Sequence, residues 1–267
     1  MIRTVVTGVA GRMGSSTVRF VRDSGDLQLV GATERLGSAS LGLDVGLVCR
    51  LGAMEIPVED DLAKAVRRGA DVVIDFTSPE ASLRHARICA ELEVPLVIGT
   101  TGFSAQARAE LCEVGKQIPL LTAPNMSVGV NVMIKLAAQA AQVLGEAFDV
   151  EITEIHHRGK KDAPSGTALR LGEVVAVALG RDPATDLRLT RAGQIGERAA
   201  KEIGLQAVRG GDVVGEHTVF YLGAGERLEI THRATSRDQF VLGALRAARF
   251  LVGRPPGIYD MNAVLGL

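Results

Sequence analysis

Residues 154–169, Glu-Ile-His-His-Arg-Gly-Lys-Lys-Asp-Ala-Pro-Ser-Gly-Thr-Ala-Leu, concentrate groups able to do chemistry. His156 and His157 are adjacent, and Arg158, Lys160 and Lys161 follow them. Imidazole exchanges a proton near neutral pH. Lysine attracts a carboxylate, and donates a proton when its pKa is lowered. Ser165-Gly166-Thr167 stands where an apolar helical pattern begins, so its hydroxyls and backbone N–H groups suit a carboxylate. The combination reads as an anion site beside a proton donor. The competing reading is a solvated basic loop. His156 and His157 end a strand, so their side chains point to opposite faces, and only one faces a given pocket unless the chain bends. Arg237 has two readings, a further carboxylate ligand or a charge in the first turn of a helix. His217, after Glu216, and His232 lie on strands, where a core or sheet-face role is expected.

A second constellation is Gly8-Val9-Ala10-Gly11-Arg12-Met13-Gly14, between a strand pattern and a helix pattern. Glycines at this spacing allow a tight turn and let the backbone approach a pyrophosphate at a helix N-terminus. The spacing is Gly-x-x-Gly-x-x-Gly rather than Gly-x-Gly-x-x-Gly, and alone it is a weak signal. Glu34, at the end of the second strand, is where an acid takes a ribose hydroxyl. Arg35 next to it can reach a 2′-phosphate or stack on adenine; the alternative for both is an exposed loop pair. Gly99-Thr100-Thr101-Gly102 closes another strand and can hold a nicotinamide carboxamide, or be an ordinary turn. Ala123-Pro124-Asn125-Met126 ends the next strand and can line the same crevice. With the first cluster, these residues suggest a reductase acting on a small carboxylated substrate.

The elements that must position these groups fall into two patterns. Strands are expected at residues 2–7, 27–33, 71–76, 95–98 and 120–122, with helices between them. Met13, Thr17 and Val21 share one face of the first helix. Ser78 and Ser104 can cap helices, and Pro79 fits a first helical position. Near-continuous apolar strands alternating with helices argue for a parallel sheet covered on both faces. A long apolar helix follows at 130–144, and residues 148–153 alternate with period two. Strands at 203–208, 217–222 and 228–234, the last two joined across Gly223-Ala224-Gly225, suggest an open, mostly antiparallel sheet. Residues 237–252 read as a closing helix. Residues 181–201, polar with two glycines, are the candidate mobile loop. The expected class is therefore α/β: a Rossmann-type dinucleotide-binding domain (1–127 and 236–267) and an α+β domain (128–235).

Hydrophobic residues make up 46% and charged residues 23%, a globular balance. The net charge of −1 leaves no global field for nucleic acid or an anionic membrane, so anions must be bound locally. With 3% aromatic residues and no Trp, a single-strand stacking platform is disfavoured. Cys49, Cys89 and Cys112 fit neither a disulfide framework nor a zinc spacing; they read as reduced thiols in or near the core, and no metal is expected. No segment reads as a membrane span, and residues 1–6 read as a strand rather than a signal peptide. A cytoplasmic location is the expectation.

The chain resembles the 4-hydroxy-tetrahydrodipicolinate reductases, also called dihydrodipicolinate reductases, of bacterial lysine and diaminopimelate synthesis. Residues 8–14, 34–35, 99–102, 125–131, 154–169, 209–217, 226–237 and 259–261 carry the resemblance, which spans nearly the whole length. The string His-His-Arg-x-Lys-x-Asp-Ala-Pro-Ser-Gly-Thr-Ala is specific to that family. The resemblance implies reduction of (2S,4S)-4-hydroxy-2,3,4,5-tetrahydrodipicolinate with NADPH or NADH and loss of water. It makes His156 the proton donor and acceptor, and Lys160 a proton donor. His157, Lys160, Ser165, Gly166 and Thr167 would bind the dicarboxylate. Gly8, Val9, Ala10, Gly11, Arg12, Met13, Glu34, Arg35, Gly99, Thr100, Thr101, Ala123, Pro124, Asn125 and Met126 would line the nucleotide site. Some members carry Phe at position 126, so Met126 would offer a softer thioether contact near the nicotinamide. Family members are usually homotetramers built through the second domain's sheet.

Two rivals remain. Aspartate-semialdehyde dehydrogenase chemistry needs a cysteine nucleophile, and no cysteine neighbours the 156–167 cluster in sequence. A nucleotide-sensing regulator would bind the dinucleotide and turn nothing over.

Overall fold

The computed structural model describes residues 1–267 as two compact units, Met1–Ser127 with Asp238–Gly266, and Val128–Arg237 with Leu267. The boundary expected at 235/236 falls at Arg237/Asp238, where the closing helix starts. In chain order the first stretch holds β1 (Ile2–Thr7), α1 (Arg12–Asp23), β2 (Leu27–Thr33), α2 (Val45–Val48), β3 (Val58–Glu59), α3 (Leu62–Val66), β4 (Val72–Asp75), α4 (Pro79–Glu91), β5 (Leu96–Ile98), α5 (Ala105–Gly115) and β6 (Pro119–Thr122). The second unit holds α6 (Val128–Leu144), β7 (Asp149–His156), α7 (Gly166–Ala178), α8 (Pro183–Asp186), β8 (Leu187–Arg188), β9 (Ile203–Arg209), β10 (Gly215–Leu222) and β11 (Arg227–Ala234). The chain then adds α9 (Asp238–Leu251), β12 (Gly257–Tyr259) and α10 (Met261–Leu265) to the first unit.

The first unit is a seven-stranded parallel sheet in the order β12-β6-β5-β4-β1-β2-β3. Its strands are apolar on both faces, as a parallel sheet covered on both sides requires. Val6, Ile74, Val97 and Leu121 pack on one side with α1 and α9 residues, and Val5, Val73, Leu96 and Leu120 on the other with α3 to α5 residues. Helix starts follow the side-chain chemistry. Ser78 Oγ accepts from Ala81 N at 3.3 Å with Pro79 in the first turn, and Ser104 Oγ accepts from Ala107 N at 3.1 Å.

Register decides where the loops emerge. Thr7 is level with Thr33 and Asp75, Asp75 with Ile98, and Ile98 with Thr122. Gly8, Glu34, Phe76, Gly99 and Ala123 therefore leave the sheet at one carboxyl edge, where open α/β sheets bind ligands.

The second unit is a five-stranded sheet in the order β11-β10-β7-β9-β8. β7–β10 and β10–β11 are antiparallel, as expected, and the hairpin turn uses Gly225 at φ +82°. On the other side β9 runs parallel to β7, and β8 parallel to β9, so the sheet is mixed. The reason is α7, which carries the chain back over the sheet between β7 and β9, the crossover that parallel pairing needs. Tyr221, Val150, Ile152 and Leu205 form the core with Ala137 and Ala141 of α6 and Leu171 and Val175 of α7.

Three expectations change. Residues 128–147 form a helical stretch long and apolar enough to cross a membrane by length and composition. It buries Met133, Ala137 and Ala141, spaced by four, in the second unit's core. Residues 181–201 carry α8 and β8 and are tied down by ion pairs rather than left as a free loop. Arg191 Nη1 and Nη2 each donate to Glu151 at 2.7 Å, Arg191 also pairs with Glu202, and Arg198 Nη1 meets Asp149 at 2.7 Å. Cys49 and Cys89 are buried, but Cys112 is exposed.

Gly243 of α9 shows how closely the first unit packs, since a Cβ there would lie 1.8 Å from the Met126 carbonyl oxygen. We expect Gly243→Ala to lower unfolding free energy by roughly 1–3 kcal/mol, the usual cost of overpacking. A urea-melt midpoint equal to wild type would show that α9 gives way freely.

Candidate active site

In the first unit, Gly8 turns at φ +65°, and Gly11 N donates to Gly8 O at 3.0 Å. A Cβ on Gly14 would lie 2.1 Å from Gly8 O, so the helix approaches the turn only because residue 14 is glycine. Gly11 caps α1 without a side-chain hydrogen bond, which leaves the helix N-terminus to its backbone donors. Glu34 reaches across from β2, with Oε2 accepting from Ala10 N at 3.0 Å and Oε1 from Arg35 N at 3.0 Å. A cleft of about 560 Å³ lies along this edge, lined by Gly8, Gly11, Glu34, Arg35, Thr77 and His85 among others. Tight turn, uncapped helix start and fixed acid fit a dinucleotide.

The side chains of several expected nucleotide residues are committed elsewhere. Val9 is fully buried, so it acts through its backbone. The Thr100 hydroxyl joins a buried network, accepting from Thr77 N at 3.1 Å and lying 2.8 Å from Ser82 Oγ. Asn125 Oδ1 accepts from Ser127 N at 2.9 Å. Met126 is 1% exposed and packs in the core, so the thioether contact expected at the nicotinamide is not presented. Ala10, Gly11, Arg12, Arg35, Thr101 and Pro124 are exposed, with Gly8, Met13 and Gly99 half-buried.

At the centre of that network sits Asp75, fully buried at the end of β4. Its Oδ1 accepts from Thr77 N, Thr77 Oγ1 and Ser82 Oγ at 2.9, 2.7 and 2.9 Å, and Oδ2 meets His85 Nδ1 at 2.5 Å. Burial alone would raise its pKa. The His85 imidazole and the Thr77 and Ser82 hydroxyls outweigh that and hold it below the ordinary carboxylate value.

In the second unit, register gathers the histidine cluster. His156 is level with Arg209 of β9, and Glu154 with His217 of β10. Glu154 is fully buried. Its Oε2 meets His156 Nδ1 at 2.5 Å and accepts from Arg209 Nη1 at 2.7 Å. Its Oε1 accepts from Arg209 Nη2 at 2.7 Å and Ser165 N at 2.9 Å. Burial pushes its pKa up, but Arg209, His156 and the Ser165 N–H outweigh burial and keep it low. Burial lowers the pKa of His156, and Glu154 recovers only part of that, with Lys160 and Arg209 adding to the lowering.

The rest of the predicted set surrounds this core. Lys160 Nζ donates to both Asp162 oxygens at 2.9 Å. Ser165 caps α7, its Oγ accepting from Ala168 N at 3.2 Å and lying 3.1 Å from His217 Nε2. Ser165 is buried, so its hydroxyl belongs to the cap, whereas Gly166 is exposed at the first helical position. Thr167 is half-buried. Arg237 precedes α9, and its Nη2 lies 3.4 Å from His157 Nε2, so it joins the cluster rather than serving as a first-turn charge.

Family models for the N-terminus and the C-terminus of dihydrodipicolinate reductase match residues 2–126 and 129–265. The chain belongs to the dihydrodipicolinate reductase family. A curated 4-hydroxy-tetrahydrodipicolinate reductase from Myxococcus xanthus (strain DK1622) is 60% identical over all of this chain and 98% of its own length. One from Geobacter sulfurreducens is 52% identical over the full length of both. A solved structure, dipicolinate-bound dihydrodipicolinate reductase from Paenisporosarcina sp. TG-14, covers 98% of both chains with a TM-score of 0.78 and 25% identity. As a member of the dihydrodipicolinate reductase family, the chain is a pyridine-nucleotide-dependent oxidoreductase of diaminopimelate and lysine biosynthesis.

Sequence reasoning missed the acids that organise this family's two clusters here, Asp75 and Glu154, and their partners His85 and Arg209. A signal existed for Glu154, an acid at an inward strand position two residues before a histidine. His217 was assigned a core or sheet-face role, and it stands edge-on to His156 with ring centroids 5.3 Å apart.

Burial, together with the His156 charge, pushes the His217 pKa from 6.5 down to about 4. The unfolded chain then binds a proton that the folded chain refuses between those values, so this contribution to stability is full above about pH 6.5 and is lost as pH falls toward 4. The loss is roughly 3 kcal/mol at the lower end. We expect His217→Gln to flatten the fall in urea-unfolding free energy between pH 6.5 and 5. Identical slopes in the two proteins would place the pKa near its ordinary value.

Proposed function

We propose that the chain catalyses NAD(P)H-dependent reduction of (2S,4S)-4-hydroxy-2,3,4,5-tetrahydrodipicolinate to 2,3,4,5-tetrahydrodipicolinate with loss of water. The observation that carries the residue assignment is the second unit's cluster, an imidazole held by a buried carboxylate beside a lysine, an arginine and a helix start. The first unit is the dinucleotide-binding domain and the second the substrate domain. A bound nicotinamide supplies hydride. The chain's own residues hold the substrate, exclude water and move protons.

His156 exchanges a proton at Nε2, because Nδ1 is engaged by Glu154. Lys160 now pairs with Asp162, and a substrate carboxylate replaces that partner with the same charge. His157, Arg237 and the backbone of Gly166 and Thr167 hold the dicarboxylate, with Ser165 shaping the turn. On the nucleotide side, Gly8 to Met13 cradle the pyrophosphate and Glu34 takes a ribose hydroxyl. Arg35 meets a 2′-phosphate or adenine, so both NADPH and NADH are accommodated. Gly99 to Thr101 and Ala123 to Met126 line the nicotinamide end, the last chiefly through backbone.

The chain works in the cytoplasm as a homotetramer. The face of the second sheet away from α6 and α7 supports this reading, because β11 leaves Arg227, Glu229, Thr231 and Arg233 exposed there beside Leu222 of β10. A second copy's sheet would cover it. Sedimentation equilibrium should give four times the chain mass, and a monomer at micromolar concentration would refute this assembly.

With purified protein, NADPH and freshly generated substrate, nicotinamide absorbance should fall; binding of NADPH without consumption would instead favour a sensor. His156→Ala should lower kcat by ~10²–10⁴-fold with nucleotide affinity intact. Lys160→Ala should lower kcat and raise substrate KM together. Wild-type rates in either variant would contradict these roles.

A further inference from the structure

Glu154 is the one group in the second unit that touches both halves of the proposed site. It lies on β7 two residues before His156, on the same inward face. Its carboxylate is 0% exposed and its oxygens are shared among three partners. Arg209 grips both oxygens, His156 Nδ1 meets one, and the backbone N–H of Ser165 meets the other. Arg209 also donates to the Asp162 carbonyl at 2.7 Å, so the same knot holds the loop that carries Lys160.

Two consequences follow from the geometry. An ionised carboxylate only accepts hydrogen bonds, so Nδ1 of His156 carries the hydrogen, and Nε2 is left as the nitrogen that exchanges a proton. Nε2 lies beside Gly215, where a Cβ would come within 2.9 Å of it, so the ring's free edge has room only because residue 215 is glycine. The second consequence concerns the anion turn. Ser165 N is fixed to the acid that orients the imidazole, so the start of α7 and the proton-transfer group move together or not at all.

We propose that Glu154 is the positioning residue of the reaction, setting the tautomer and orientation of His156 and holding the Ser165–Thr167 turn in register with it. The proposal rests on the reading that His156 transfers the proton. The groups that act on this carboxylate and ring are His156 on β7, Arg209 on β9, Lys160 in the loop and His217 on β10, with Asp162 pairing Lys160 and His232 of β11 acting on His217 behind them. None of these other titratable or charged groups is itself substituted in Glu154→Gln, so the pH profile is compared at constant composition of the rest of the cluster.

The test compares Glu154→Gln with the double variant Glu154→Gln/Arg209→Met, which removes the buried pair together and leaves no uncompensated charge. Both should lower kcat about 100-fold or more with nucleotide KM unchanged. Because the carboxylate supports the charged imidazole, the acid limb of the kcat profile should move to lower pH. Adding Glu154→Gln to His156→Ala should cause no further loss in kcat. In wild-type protein carrying 15N-histidine, the His156 signals should show a protonated Nδ1 and a bare Nε2. The opposite tautomer would overturn the proposal, whether or not the variants fold. So would wild-type kcat with an unmoved pH limb in a folded variant while His156→Ala is inactive. Full activity in His156→Ala would overturn instead the reading beneath it.

Discussion

A carboxylate taken out of water must have its oxygens engaged by donors or give up its charge. Both units are organised around one such acid at the end of a strand. Asp75 closes β4 and collects two hydroxyls, a backbone N–H and an imidazole. Glu154, near the end of β7, collects a guanidinium, a backbone N–H and an imidazole. In each case the donors come from loops and neighbouring elements, so satisfying the acid also fixes the loops. The chemistry of both units is thus attached to rigid strands through a few short, charge-assisted bonds.

The sheet frames supply the other half of the positioning. Parallel pairing in the first unit delivers β1, β2, β4, β5 and β6 to a common edge, which brings residues 8–13, 34–35, 99–101 and 123–126 together although they are far apart in the chain. In the second unit, β7 lies between an antiparallel and a parallel neighbour. That arrangement places His217 and Arg209 beside Glu154 and His156. A one-residue slip in either pairing would turn these side chains to the opposite face.

Much of this frame was legible beforehand. The strands of the first unit announce themselves by apolar runs bounded by turn residues, and Ser78, Pro79 and Ser104 mark helix starts by local chemistry alone. The glycine loop could be read because backbone approach is a local demand. Errors arose where the deciding partner was remote. The tethering of residues 181–201 depends on Glu151 and Asp149, which come from another strand. Met126 looked like a ligand contact because it follows a loop motif, yet its burial is set by core residues such as Val241 and Leu245 of α9. The parallel placement of β9 depends on the crossover through α7, which strand periodicity does not encode.

The amino-acid sequence by itself determined the element types, the dinucleotide turn, the His156 to Thr167 constellation and the family, because each depends on residues close in the chain or on a pattern carried along it. Only the tertiary structure decided which nitrogen of His156 is free, that Ser165 serves as a cap, and that Arg237 meets His157. The His156 tautomer and the placement of Ser165 depend on Glu154, Arg209 and His217 being brought within hydrogen-bond reach by strand register, and the Arg237–His157 contact on the loop after β7 meeting the segment before α9. Burial makes the loss of one partner of Glu154 cost about 3–5 kcal/mol, where an exposed pair would show only a weak preference.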